Sequence, residues 1–208
     1  MTRDRVGVLA LQGDVREHVA LLERLGADVV RVRRPEEFAL VDGLVIPGGE
    51  STVIDKLSRL FGLQDPIRDA IRDGMPMLGT CAGLIMLADR IEDAIEGQQT
   101  FGGLDVVVRR NAFGRQVESF EASLDVPELG AEPVRATFIR GPVVERVGED
   151  ATTLASLADG RVVAVEQGNL IGISFHPELD GESRFHERFL AHVVARRGSA
   201  ERTESPAA

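Results

Sequence analysis

Residues 77–83 have the sequence MLGTCAG, in which a short apolar run leads to a cysteine that has a glycine two residues away on each side. The apolar run predicts a strand that ends near Leu78, and the apolar residues from Ala82 onward predict a helix. The glycines leave room for a sharp turn, because they carry no Cβ atom that would collide with the strand or the helix. The stretch therefore predicts a strand–turn–helix elbow with Cys81 at its tip, a feature of α/β folds.

Strands and helices alternate on both sides of this elbow. The apolar run 6–11 predicts a buried strand near the centre of a parallel sheet, followed by a helix that Asp14 is predicted to cap. Ser51 is predicted to cap a helix through Leu60. The pattern predicts an α/β fold with a three-layer open sheet, mostly parallel with some antiparallel edge strands and flanked by helices. Further strands are predicted at 29–32, 44–46, 106–108, 116–124, 134–139, 161–165 and 170–175, and further helices at 66–73 and 185–194.

The composition is that of one folded domain. The chain has 208 residues, of which 43% are hydrophobic and 28% are charged, and both values are close to the average for globular proteins. A single domain is predicted over residues 1–197. The small and polar residues 198–208 are predicted to form a disordered tail.

The charge and the apolar runs exclude several classes of function. A formal net charge of −10 argues against nucleic-acid binding, which needs a cationic surface. No apolar run approaches the roughly 18 residues of a membrane span, and the sequence shows no signal peptide before its first strand. We therefore expect a cytoplasmic protein whose partners are small molecules or proteins, with no nucleic acid and no membrane.

Cys81 is the only cysteine of the chain, which excludes an internal disulfide. The four histidines show no zinc-type spacing with it, so no metal site is expected. A lone cytosolic cysteine is most often an inert core thiol. The elbow favours a nucleophile instead, because the amide N–H groups at the start of the following helix stabilise the thiolate.

A candidate base for this nucleophile follows the strand predicted at 170–175. His176 is separated from Glu178 by a single proline, and residues two apart in an extended segment project to the same side. Pro177 disfavours helical geometry at the histidine and favours that extended segment. Glu178 is then predicted to orient one imidazole nitrogen while the other serves Cys81, the arrangement of a cysteine–base–orienter triad. The alternative is a surface histidine followed by a turn.

The loop at 47–52, PGGEST, ends another predicted strand. Its glycines allow the main chain to turn amide groups inward, and the N–H groups of Gly49 and Ala82 are predicted to form an oxyanion hole. A phosphate-binding loop is a weaker interpretation, because Lys56 is out of register for it, and a plain turn remains possible. The loop, the cysteine and the histidine all follow predicted strands, at the sheet edge where α/β proteins bind ligands.

The chain resembles the class I glutamine amidotransferases and, more narrowly, the glutaminase subunits of pyridoxal 5'-phosphate synthases. The resemblance extends from about residue 6 to about residue 195 and thus covers nearly the whole chain. The segment 92–103 and the tail after Arg197 match no family motif. The motifs that carry the resemblance are LALQG at 9–13, REH at 16–18, GGEST at 48–52, GTCAGL at 79–84, RNAFGRQ at 110–116, SFE at 119–121, FIR at 138–140 and SFHPE at 174–178.

The resemblance implies hydrolysis of L-glutamine to glutamate and ammonia, with Cys81, His176 and Glu178 as the catalytic triad. It also implies transfer of the ammonia to a (β/α)-barrel pyridoxal 5'-phosphate synthase subunit, and it implies no cofactor. Which residue binds which end of glutamine stays open. The substrate-binding residues implied by the family pattern are Gly49, Glu50, Ser51, Arg110, Ile139 and Arg140.

Two other functions are compatible with parts of this pattern. A glutaminase subunit that serves a different synthase, such as that of the imidazole glycerol phosphate pathway, would share the cysteine elbow and the His-Pro-Glu motif. The segment 110–116 argues against it. A non-catalytic regulatory module could keep the fold without the reaction, but the complete triad argues against that alternative.

Overall fold

The computed structural model describes residues 5–110 and 119–204. Residues 111–116, which belong to one motif of the resemblance, lie outside this part of the chain. The helices are α1 (Val15–Arg24), α2 (Pro35–Phe38), α3 (Ser51–Leu60), α4 (Gln64–Arg72), α5 (Ala82–Leu87), α6 (Pro177–Asp180) and α7 (Arg184–Glu204). The strands are β1 (Arg5–Leu9), β2 (Asp28–Val32), β3 (Gly43–Ile46), β4 (Met77–Thr80), β5 (Ala88–Glu92), β6 (Leu104–Arg109), β7 (Ser119–Leu124), β8 (Val134–Ile139), β9 (Val143–Val147), β10 (Thr152–Ser156), β11 (Val162–Gln167) and β12 (Leu170–Ile173).

One large mixed sheet organises the molecule. Its strand order is β2-β1-β3-β4-β12-β11-β9-β6-β5, and β10 pairs with β11. In this order, the neighbouring strands from β2 through β1, β3 and β4 to β12 pair in parallel. The next three pairs, β12 with β11, β11 with β9 and β9 with β6, are antiparallel. The predicted α/β class, mostly parallel with antiparallel strands toward one edge, is confirmed. The prediction that β1 lies centrally is wrong, because β1 is second from one edge of the sheet and the centre of the five-stranded parallel part is β3.

Helices cover both faces of this sheet and complete three layers. One apolar cluster contains side chains of α3, α4 and α5, and the other contains side chains of α1 and α7. Alternate residues of β3 divide between them, since Leu44 and Ile46 belong to the first cluster and Val45 to the second. The hairpin formed by β7 and β8 is a separate two-stranded sheet that packs on the second cluster.

Three strands that follow α5 have no counterpart in the sequence predictions. They are β5, β9 and β10, which are short and have exposed residues in runs rather than in strict alternation. A period of two residues is the signal of a half-buried strand, and these segments lack it. The last helix continues to Glu204, into the segment predicted as a disordered tail, so the division at residue 197 stays a prediction. None of the helices in the described ranges is both long and apolar enough to cross a membrane.

Candidate active site

Cys81 lies at the tip of the predicted elbow, between the end of β4 and the start of α5. Its φ angle is 49°, in a region that non-glycine residues rarely adopt and that often marks functional sites. A Cβ atom at Gly79 would collide with the backbone of Gly83, and one at Gly83 would overlap the carbonyl group of Ile46. The two glycines are therefore needed for the close packing of strand and helix that presents the thiol, as the sequence predicted.

His176 follows β12, and its backbone N–H donates to the carbonyl of Thr137 at 2.9 Å. Its Nδ1 atom lies 2.8 Å from Oε1 of Glu178, whose side chain is fully buried. The predicted contact is present, but the local geometry differs from the prediction. Glu178 lies in the first turn of α6 rather than in an extended segment, because Pro177 occupies the first helical position, where its fixed φ and missing N–H are favourable.

The surroundings of His176 favour its protonated form. Burial lowers its pKa, but hydrogen bonds with Asp14, Cys81 and Glu178 and the charge of Cys81 raise the pKa to about 12. Burial also raises the pKa of Glu178, and the hydrogen bond with His176 opposes that rise. The proton between Nδ1 and Oε1 belongs to His176, because Asp14 and Cys81 stabilise the imidazolium in addition to Glu178.

Asp14 also belongs to this cluster, although its position in the sequence predicted only a helix cap. It occupies the predicted cap position before α1, but its side chain makes no capping hydrogen bond. Instead, its Oδ2 atom lies 3.4 Å from Nδ1 of His176. The prediction that Asp14 acts as a side-chain cap is therefore wrong, because the carboxylate faces an imidazolium that offers a stronger interaction than an exposed amide.

A second buried histidine, His18 on α1, lies behind the triad. Its Nε2 atom is 3.0 Å from Oγ1 of Thr80 and 3.5 Å from Oε1 of Glu178, and its Nδ1 atom is 2.9 Å from Nε2 of His186. His18 belongs to a motif of the family resemblance, REH at 16–18, but no role was predicted for it. No local signal could have done so, since His186 and Glu178 lie far away along the chain.

The hydrogen bonds of His186 indicate the tautomers of this pair. Nδ1 of His186 has no hydrogen-bond partner among the described residues. A buried N–H without an acceptor is rare, so we assign the proton of His186 to Nε2, from which it is donated to Nδ1 of His18. His18 then donates from Nε2 toward Thr80 and Glu178. Burial lowers the pKa of both histidines, and the pKa of His186 falls to about 3, which keeps them neutral.

The loop between β3 and α3 lies against the triad. The N–H of Gly48 donates to Oγ1 of Thr80 at 3.0 Å, and its carbonyl accepts from the N–H of Asp14 at 3.2 Å. The N–H of Glu50 donates to Oε1 of Gln12 at 2.7 Å. A side chain at residue 48 would collide with the ring of His176, so glycine is required there. Gly49, a predicted oxyanion-hole residue with Ala82, is therefore held next to the catalytic side chains.

Three of the predicted substrate-binding residues form one hydrogen-bonded group. Nη2 of Arg110 lies 2.8 Å from Oε1 of Glu50, and Nη1 lies 3.0 Å from Oε1 of Gln98. Nε2 of Gln98 lies 3.1 Å from Oγ of Ser51. Ser51 is the first residue of α3, not its side-chain cap as predicted, and its hydroxyl faces Gln98 instead of the helix amides.

The other two predicted substrate residues, Ile139 and Arg140, lie at the carboxyl end of β8. Both are exposed, and Arg140 has a φ angle of 46°. The same strand reaches the triad through the carbonyl of Thr137, which accepts the N–H of His176. Their part in substrate binding stays a prediction.

Asp14, His176 and Glu178 also offer three possible metal-ligand atoms within 4.8 Å of one another. A metal at this place would need the lone pair of Nδ1 of His176. That nitrogen instead faces the carboxylates of Glu178 and Asp14, to which it donates its proton. A protonated Nδ1 in this position has no lone pair for a metal ion.

The chain matches a known protein family. The model of the SNO glutamine amidotransferase family matches residues 8–195, which is most of the chain. The chain belongs to the SNO glutamine amidotransferase family. In this SNO family member, the matched range includes every residue of the predicted triad and substrate site.

Curated relatives of this SNO family member are similar over nearly their whole length. Pyridoxal 5'-phosphate synthase subunit PdxT of Leifsonia xyli subsp. xyli is 67% identical, covering 92% of this chain and 97% of the relative. The protein of the same name from Streptomyces coelicolor is 59% identical, covering 93% of this chain and 96% of the relative.

Solved structures agree with the family assignment. A crystal structure of a glutamine amidotransferase superposes with a TM-score of 0.85 at 48% identity, covering 90% of this chain and 98% of the other. A putative GMP synthase protein of Thermoplasma acidophilum superposes with a TM-score of 0.70 at 19% identity, covering 97% of this chain and 99% of the other. The second match shows only that the fold is shared.

Proposed function

We propose that the chain hydrolyses L-glutamine to L-glutamate and ammonia and delivers the ammonia to a pyridoxal 5'-phosphate synthase subunit. The observation that carries this proposal is the connection from Cys81 at a strained elbow, through His176, to the buried carboxylate of Glu178. This is the arrangement of an activated nucleophile, its base and an orienting group.

The reaction begins with attack of the Cys81 thiolate on the side-chain amide carbon of glutamine. The tetrahedral intermediate collapses with release of ammonia, and His176 supplies the proton to the leaving nitrogen. The products of this first half of the reaction are a thioester on Cys81 and neutral His176. The imidazole then takes a proton from water as the water attacks the thioester, which releases glutamate and restores the imidazolium–thiolate pair.

Charge develops on the amide oxygen during both attacks. The N–H groups of Gly49 and Ala82 are the proposed donors to that oxygen, because one lies in the loop beside His176 and the other directly follows the nucleophile. Thr80, Asp14 and Gln12 hold the loop on both sides of Gly49. Such a preorganised donor stabilises the transition state without reorganisation cost.

Recognition of glutamine is assigned to residues at the same edge of the sheet. A free amino acid presents a carboxylate and an ammonium group, and both must be paired when water is removed. Arginine and helix amides suit the carboxylate, whereas a carboxylate suits the ammonium group. The proposed substrate residues are Gly49, Glu50, Ser51, Arg110, Ile139 and Arg140.

The partner is proposed from the relatives. Proteins 54–67% identical to this chain are named pyridoxal 5'-phosphate synthase subunits, and the name implies a further subunit that performs the synthesis. We propose that this further subunit is a (β/α)-barrel protein. We also propose one glutaminase domain over residues 1–197 and a cytoplasmic location without nucleic-acid or membrane partners. A glutaminase for another synthase is the alternative, but the related GMP synthase structure is only 19% identical.

The test is release of glutamate from glutamine by the chain alone, with the candidate synthase subunit, and with an imidazole glycerol phosphate synthase subunit. We expect turnover with the first partner and not with the second. Cys81→Ala should abolish turnover while the melting temperature stays within about 2 °C, because little buried volume is lost. Turnover by Cys81→Ala would overturn the mechanism, and activation by the second partner would overturn the choice of synthase.

A further inference from the structure

Gln98 lies in the segment 92–103, for which no role was predicted, and its side chain contacts two residues of the proposed glutamine site. Its side chain joins Arg110 on one side to Ser51 on the other. We propose that Gln98 is a positioning residue that turns the Ser51 hydroxyl into a hydrogen-bond donor for the α-carboxylate of glutamine. This inference rests on the proposed function and adds to it which group meets one end of the substrate.

The orientation of the Gln98 amide follows from its neighbours. Arginine has only N–H donors, so the group 3.0 Å from Nη1 of Arg110 must be the amide oxygen. The backbone N–H of Ile95 also donates to this oxygen, with 3.4 Å between nitrogen and oxygen. The amide nitrogen is therefore on the side of Ser51, where it lies 3.1 Å from Oγ.

The orientation of Gln98 determines what Ser51 can do. An amide nitrogen only donates, so Oγ of Ser51 must accept, and the hydroxyl hydrogen points away from Gln98. No other hydrogen bond of this hydroxyl is found in the described ranges 5–110 and 119–204. Because Ser51 is only 2% exposed, this donor is shielded from bulk water.

The surroundings of Ser51 suit a carboxylate. Ser51 is the first residue of α3, where amide N–H groups have no partner within the helix and the helix dipole favours negative charge. Arg110, whose side chain is only 12% exposed, adds a positive charge nearby. Glu50 is paired with Arg110 and leaves its remaining lone pairs as acceptors. These acceptors suit the ammonium group of glutamine, whereas a donor hydroxyl at Ser51, the helix amides and Arg110 together suit its α-carboxylate.

The backbone of the segment is held independently of the Gln98 side chain. The N–H of Gln99 donates to Oδ2 of Asp55 at 3.1 Å, and Arg59 fixes this buried aspartate from the other side. Nε of Arg68 donates to the carbonyl of Thr100 at 3.1 Å. A substitution at residue 98 should therefore change the site without releasing the segment.

The test uses Gln98→Glu, with glutamate release measured in the presence of the synthase subunit. The new carboxylate keeps the acceptor for Arg110 but also accepts on the other side, so the Ser51 hydroxyl donates to it and turns away from the substrate. We expect KM for glutamine to rise about tenfold, as for loss of one hydrogen bond to a charged group, with kcat within about twofold.

The control is Gln99→Glu, which makes the same chemical change one residue further along. The side chain of Gln99 contacts Gln64 and Arg68 and not the substrate site. We expect its KM and kcat to stay within about twofold of the wild type. An equal rise of KM in both variants would show that added negative charge, not the Gln98–Ser51 contact, is responsible, and would overturn the inference.

A double-mutant cycle with Ser51→Ala separates positioning from direct repulsion of the substrate. If Gln98 acts through the hydroxyl, adding Gln98→Glu to Ser51→Ala should raise KM by less than about twofold. A full additional tenfold rise, or an unchanged KM in Gln98→Glu alone, would overturn the inference.

Equilibrium binding of glutamine in the Cys81→Ala background gives the same comparison without turnover. Weaker binding on adding Gln98→Glu supports the role of Gln98 even if the wild type fails to hydrolyse glutamine, which would overturn only the proposed function. Unchanged binding overturns the inference alone, and absence of glutamine binding overturns both.

Discussion

Two buried histidines lie close to the same oxygen of the Glu178 carboxylate, and their surroundings give them opposite acid–base properties. Nδ1 of His176 is 2.8 Å from Oε1 of Glu178, and Nε2 of His18 is 3.5 Å from the same oxygen. Burial lowers the pKa of both, but the pKa of His176 is raised overall whereas that of His18 is lowered. Burial alone therefore does not decide the charge of a histidine in this site.

The difference comes from the other neighbours of each ring. His176 also faces the carboxylate of Asp14 and the sulfur of Cys81, which stabilise a positive ring. His18 faces the hydroxyl of Thr80 and a second neutral histidine, His186. One ring can thus exchange a proton with substrate, whereas the other can only donate a fixed hydrogen bond. The predicted effects of substitution follow this division.

The largest effect is expected for His176→Asn. Asparagine keeps a polar side chain of similar reach but cannot take or give the proton that the reaction requires. We expect kcat to fall by about 10⁴-fold or more, as large as for Cys81→Ala, since the two residues act as a unit. Glutamate release by the complex measures it. A loss below about tenfold would show that another group is the base.

Glu178→Gln should have a smaller effect. The amide keeps the shape of the orienting group and can accept from Nδ1, but it no longer stabilises the imidazolium. We expect kcat to fall by about 10²-fold, because loss of an orienting group is less damaging than loss of the base. A loss as large as that of His176→Asn, or no loss at all, would contradict the orienting role.

His18→Asn should reduce kcat less again. The substitution removes hydrogen bonds that support Thr80 and Glu178, but no proton transfer is lost. We expect about a fivefold decrease, which corresponds to about 1 kcal/mol. His192→Asn is the matched control, because that histidine contacts Glu166, away from the triad. If His18→Asn matched His176→Asn in kcat, the distinction between the two rings would be wrong.

The smallest effect concerns the pH dependence of stability. The pKa of His186 is lowered to about 3 in the folded protein, so between about pH 6.5 and pH 3 the unfolded chain binds a proton that the folded chain does not. The free energy of unfolding should therefore fall as the pH decreases through this window, and His18 contributes in the same direction. The raised pKa of His176 has the opposite effect on stability. It stabilises the folded protein below about pH 6.5, and this stabilisation is lost as the pH rises toward about 12.

Melting temperatures of the wild type and His186→Leu between pH 7 and pH 4 measure this contribution. The carboxylates that titrate in the same range are common to both proteins, so the difference in slope isolates the histidine. We expect a shallower decrease in the variant. Equal slopes would show that His186 is not kept neutral by the fold.

The sequence predicted the parts of the site that follow strands. Cys81, His176 and the Gly48-Gly49 loop each come directly after an apolar run, and parallel strands bring their carboxyl ends to one edge. The sequence could not assign Asp14 and His18 in the same way. The position of Asp14 before a helix predicts a side-chain cap, and only the three-dimensional structure shows that it makes no such bond and faces the imidazole ring of His176 instead.

The supporting residues were missed for a related reason. His18 lies on a buried helix face next to apolar residues, and its partners Thr80, Glu178 and His186 come from three other elements. Gln98 lies in a segment without periodicity, so nothing in the sequence linked it to Ser51. Long-range hydrogen bonds of this kind leave no pattern in a single sequence.

Labelling with a diazo-ketone analogue of glutamine tests most directly the claim that Cys81 and His176 form the reacting pair. In the wild-type complex, mass spectrometry should find a single adduct, on Cys81. His18→Asn should be labelled at nearly the wild-type rate, whereas His176→Asn should be labelled far more slowly, because the thiolate loses its stabilising imidazolium. An adduct on another residue, or equal labelling rates for the two histidine variants, would contradict the account.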